Sequence, residues 1–106
     1  MIQNLSCSDV AERLGSEDPP LLLDIREPWE IQLSSLPGAM LIPMGDLPAR
    51  LDDVPRDRNV VVMCHHGNRS AMIVQWLNSQ GFERVANLDG GIDAWSKTVD
   101  PSIPLY

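Results

Sequence analysis

"NVVVMCHHGNRSAMIVQWLNSQG", residues 59–81, holds two different patterns separated by a polar loop. Its first part, 59–64, is aliphatic without alternation, the pattern of a short strand covered on both faces. Its last part places Ile73, Trp76 and Leu77 at i, i+3 and i+4, with Gly81 where a left-handed cap closes a helix. Ala71, Met72 and Val74 widen that apolar face, which predicts a deeply buried helix. A buried strand, a short loop and a helix in this order form the repeating unit of a parallel sheet with helices packed on its faces.

The rest of the chain repeats the pattern. "LLLDI" (21–25), "AMLIP" (39–43) and "RVANL" (84–88) read as further buried strands, and a weaker one is expected near Ile2. "SCSDVAERLG" offers Ser at an N-cap position, Val10 and Leu14 four apart, and Gly15 at the end, so a short helix is predicted there. "REPWEIQLSS" begins a second helix, with Pro28 in a tolerated first turn. "GDLPARLDDVP" gives a brief turn stopped by Pro55, "GGIDAWSKT" a last helix, and "VDPSIPLY" an extended tail. The three tryptophans, Trp29, Trp76 and Trp95, are assigned to helix packing. The expected class is α/β, with a central, mainly parallel sheet of five strands and helices on both faces.

The 106 residues suit one domain spanning 1–106, and 43% apolar with 22% charged residues is ordinary globular usage. A net charge of -7 with scattered basic residues argues against nucleic acid or an anionic membrane as partner. There is no apolar run long enough to span a bilayer, and the first residues lack the pattern of a secretory signal. Two cysteines, Cys7 and Cys64, do not make a disulfide framework. A cytoplasmic location is expected.

Cys64 ends the most apolar strand, and ligands of open α/β sheets bind beyond the carboxyl ends of the strands. Loop and helix N–H groups can converge on its sulfur, and a thiol so placed has its pKa lowered from about 8.5 to roughly 3.5 to 7.5. Gly67 allows a positive φ, Asn68 is the next most tolerant residue for left-handed geometry, and Arg69 supplies a positive charge that an acidic chain needs to hold an anion. A core cysteine has no use for His, His, Gly, Asn and Arg in succession, so Cys64 is expected to be exposed and reactive. Cys7 is read as a small apolar residue. Asp24 and Arg26 are read as an ion pair anchoring the helix that follows them.

Together "LLLDIREPWE", "LPGAMLIPMGDLPARL", "VVVMCHHGNRSAMIVQWLNSQGF" and "NLDGGIDAW" resemble the single-domain members of the rhodanese (thiosulfate sulfurtransferase) family over nearly the whole length. The resemblance implies a persulfide on Cys64 as the catalytic residue, cradled by His65, His66, Gly67, Asn68, Arg69 and Ser70 as the substrate-binding loop. It also implies a small anionic sulfur donor such as thiosulfate. The acceptor would be cyanide or a thiol, with a thioredoxin-like protein among the candidates, and no cofactor or metal is called for. Ser35 stands where many relatives carry a histidine before the "PGA" turn, which should alter packing rather than chemistry.

Three alternatives stand beside a sulfurtransferase. The chain could be a persulfide carrier or docking module acting on a protein acceptor. A cysteine phosphatase is disfavoured, because the phosphatases of this fold place five residues between cysteine and arginine and here His65 to Asn68 make four. A zinc site on Cys64, His65 and His66 is also disfavoured, since adjacent side chains at a strand end should point apart.

Overall fold

The computed structural model describes residues 2–106. Five strands, β1 (Asn4–Leu5), β2 (Leu21–Asp24), β3 (Met40–Leu41), β4 (Val60–Met63) and β5 (Val85–Leu88), form one sheet in the order β1-β5-β4-β2-β3. Every pairing is parallel. The helices are α1 (Cys7–Leu14), α2 (Pro28–Leu33), α3 (Asn68–Ser79) and α4 (Gly91–Thr98), with 3-10 turns at Met44–Asp46 and Pro48–Asp53 between β3 and β4. The strand expected near Ile2 is Asn4–Leu5, and β3 is shorter than the 39–43 that the sequence suggested.

Alternation along β4 divides the core. Val60 and Val62 face Leu23, Ile42 and Leu47 together with Ile73, Val74 and Leu77 of α3. Val61 and Met63 face the opposite side, against Val10 of α1 and Ile92 and Trp95 of α4. A strand buried on both faces must be apolar at every position, which is why β4 reads as an unbroken aliphatic run. Helix α3 is not apolar all round: Met72 is 55% exposed, contrary to expectation, because it sits across the helix from the sheet-facing Ile73, Val74 and Leu77. Trp29 is likewise 60% exposed on α2 and does not join the core. Ser35 is exposed.

The connection after β2 runs to one side of the sheet, to β3, and the connection after β4 to the other, to β5. Loops that diverge from neighbouring strands leave a crevice between them. Cys64 follows β4 and Arg26 follows β2, so the crevice opens between these two residues. Among the described residues, no helix is long and apolar enough to cross a membrane.

Candidate active site

Cys64 is 1% exposed, not exposed as its polar neighbours suggested. The loop folds over its own cysteine. Sγ points inward, where it accepts from the N–H of Gly67 at 3.1 Å and of Ser70 at 3.4 Å, while the Ser70 hydroxyl lies 3.3 Å away. Both amides belong to the entry of α3, so the partial positive charge of the helix N-terminus falls on the sulfur. Gly67 makes the turn possible at φ +97°, and a Cβ there would lie 3.1 Å from the Gly90 nitrogen and 3.3 Å from the Leu88 carbonyl oxygen. Asn68 needs no left-handed backbone; it is the first residue of α3.

Helix α4 braces the loop from outside. The N–H groups of Ile92 and Asp93, which have no partner within their own helix, donate to the carbonyls of Cys64 at 3.0 Å and His65 at 3.1 Å. With its carbonyls held outward, the loop turns amides inward. Asn87, at the end of β5, fixes the other side: its Nδ2 donates to Gly67 O at 3.2 Å and to Asn4 Oδ1 at 3.0 Å. That orientation leaves Asn87 Oδ1 to accept the Ser70 hydroxyl proton, so Ser70 presents a lone pair to Cys64. A thiol at Cys64 can donate to that oxygen, and a thiolate is held by the two amides instead.

Arg69 is not an unpaired cation. Its guanidinium forks onto Glu30, with Nη1 to Oε2 at 3.2 Å and Nη2 to Oε1 at 3.0 Å. Glu30 is 5% exposed and also accepts the N–H of Glu27, closing a capping box at the start of α2. Burial alone would lower the pKa of Arg69; the hydrogen bond and charge of Glu30, with lesser help from Cys64 and Tyr106, outweigh it and the net shift is upward. Asp24 and Arg26 form a fully buried pair at 2.8 Å. Arg26 then donates to the carbonyls of Glu30 and Ser34, tying α2 to the end of β2.

His65 and His66 do not point apart. Their rings stack with centroids 3.9 Å apart, and the other face of His65 lies on Tyr106 at 3.8 Å and 7°. The chain turns at 65–67 before entering α3, so the alternation of a strand no longer separates neighbouring side chains. Asp93 joins them, and one ligand atom from each of the three lies within 4.8 Å of the others. Asp93 is engaged by Lys97 at 2.9 Å, so an ion held by this set would compete with that ammonium. Burial, then the neighbouring His66, lowers the pKa of His65 below the usual imidazole range. The tail is not simply extended: Ile103 enters the core and Tyr106 bonds Arg26 Nη1 at 3.0 Å.

Cys64, His65, His66, Asn68 and Arg69 line a cleft of about 250 Å³. Gly67 and Ser70 are buried beneath it. The arrangement can stabilise negative charge on one sulfur and admit a small group to it. Glu30, Asn87, Gly91 and Tyr106 were absent from the sequence-based site; of these only the "GG" at 90–91 left a local signal, a glycine pair at the start of a helix.

The chain is similar to known proteins in sequence and in fold. The family described as Rhodanese-like domain matches residues 6–98. A protein of Allochromatium vinosum named sulfurtransferase is 39% identical over 97 residues, covering 92% of this chain and 91% of its own. The crystal structure of a rhodanese-like domain protein from Staphylococcus aureus superposes with a TM-score of 0.86 at 26% identity, covering 99% of each chain. A rhodanese-related protein from Thermoplasma volcanium gives 0.85 at 30% identity, over 98% of this chain and 99% of that one.

Proposed function

This chain belongs to the Rhodanese-like domain family, a family of sulfurtransferases, and we propose that within it Cys64 carries sulfane sulfur, as a persulfide, from thiosulfate or a similar donor to cyanide or a thiol. One observation carries the reading: two N–H groups at the start of α3 aim at a single buried sulfur at the end of the central strand. The Cys64 thiolate attacks the outer sulfur of the donor. With thiosulfate, the S–S bond of the donor breaks, sulfite leaves with the electron pair, and the new S–S bond sits on Cys64. A thiolate or cyanide then attacks the outer sulfur, and Cys64 leaves as thiolate, its charge again taken by the Gly67 and Ser70 amides. Splitting the transfer into two displacements lowers each barrier. The cleft beyond Sγ gives the transferred sulfur its place, with Asn68, His65 and His66 at its rim.

The experiment is direct. Chain incubated with thiosulfate and freed of excess donor should gain the mass of one sulfur atom, located on the Cys64 peptide, and form thiocyanate with cyanide. Cys64→Ser should do neither. Failure of the native chain to load from thiosulfate and from any persulfide would overturn the reading. Turnover with a protein thiol far above that with cyanide or small thiols would assign the chain to sulfur delivery between proteins.

A further inference from the structure

We propose that Glu30 sets donor specificity, turning the site away from the dianion thiosulfate and toward persulfides of organic thiols, R–S–SH. The inference rests on the reading of Cys64 as sulfur carrier and concerns which donor loads it.

The charges around the mouth argue for this. The chain carries -7 overall. The one cation that lines the cleft, Arg69, is matched by Glu30, and the nearby Arg26 and Lys97 are matched by Asp24 and Asp93. The end-on fork of Arg69, one N–H from each Nη, is turned to Glu30, and its charge is matched there by the carboxylate. Glu30 cannot step aside cheaply, since it is buried and caps α2 through Glu27. An arriving dianion therefore meets a guanidinium whose charge is already balanced by a fixed carboxylate, where an unpaired one would have received it.

A persulfide of a thiol asks for less. It brings at most one negative charge, on the sulfur that the Gly67 and Ser70 amides can reach, and its R group needs no cation. Beside the rim, exposed Trp29, edge to face with Tyr106 at 6.4 Å, offers R an apolar surface. The step balances as Cys64–S⁻ + R–S–SH → Cys64–S–SH + R–S⁻; the Cys64 S–S bond forms as the R–S–S bond breaks, and the electron pair leaves on the thiolate.

The test compares thiosulfate with hydroxyethyl persulfide as donor, with cyanide as common acceptor. Each kcat/KM is divided by that donor's rate with a free small thiol, so that intrinsic reactivity cancels. The native chain should prefer the persulfide. Glu30→Gln keeps an oxygen for Glu27 and Arg69 but removes the charge, and it should raise thiosulfate kcat/KM about fivefold relative to the persulfide, the effect of one charge on a dianion across a wet cleft. The gain should appear in KM rather than kcat. An unchanged or falling ratio overturns the proposal. So does a native preference for thiosulfate, which is measured on the native chain and needs no folded Glu30→Gln. Loading by neither donor would instead sink the assignment of Cys64 itself.

Discussion

Gly91→Ala reaches Cys64 through backbone alone. Gly91 opens α4 at φ +64°, and a Cβ placed on it would run into the carbonyl oxygens of both Cys64 and His65 and lie 2.6 Å from the His65 carbonyl carbon. None of these atoms belongs to a side chain that can swing away. Either α4 withdraws, and the bonds from Ile92 and Asp93 to those carbonyls are lost, or the loop shifts and the amides leave the sulfur. The left-handed backbone costs about 1–2 kcal/mol for a residue with a Cβ, and two hydrogen bonds weakened at a buried junction add roughly 1 kcal/mol or more each, giving about 3–5 kcal/mol. With a slope of about 1–3 kcal/mol per M, the urea midpoint should fall by roughly 2 M. Gly38→Ala is the control, because Gly38 has φ +82° and nothing within 4 Å of the added Cβ. It isolates the backbone term and should cost only about 1–2 kcal/mol. Urea unfolding followed by circular dichroism gives both values, and mass spectrometry follows sulfur loading of Cys64. Equal costs for the two variants, or undiminished loading in Gly91→Ala, would refute the bracing of the loop by α4.

Asn87→Leu removes the acceptor for Ser70 and the donor to Gly67 O, and should cost about 2–3 kcal/mol with loss of persulfide loading; stability within experimental error of the native chain would contradict the network. His65 is held below its usual pKa chiefly by burial, so the unfolded chain protonates there first; the stabilisation is complete above about pH 6.5 and fades as pH falls through the folded value. The His65 ring proton should titrate by NMR below about 6.5, and a midpoint at or above that value would reverse the sign. Burial, with the charge of Asp89, pushes the Cys7 thiol up to about 11. At pH 8 the native chain should take up iodoacetamide at Cys64 and not at Cys7, as peptide mapping would report.

Periodicity by itself determined the parallel sheet, the helices and the position of Cys64, because a strand buried on both faces must be apolar throughout and a helix packed on it must show its apolar side every three to four residues. It also bounded the loop, as the polar stretch between the aliphatic run and the helical period. Only the tertiary structure decided what the loop residues do. The sequence offers Arg69 as a free cation and Cys64 as exposed; Glu30, 39 residues from Arg69, and the inward fold of the loop give the opposite in each case. Asn87 meets Ser70 across 17 residues, and Tyr106 meets Arg26 across 80. Such partners leave no local pattern, because no backbone period links residues that far apart. They are brought together where β2, β4 and β5 end side by side, so the chemistry of the cleft follows from the order of strands in the sheet.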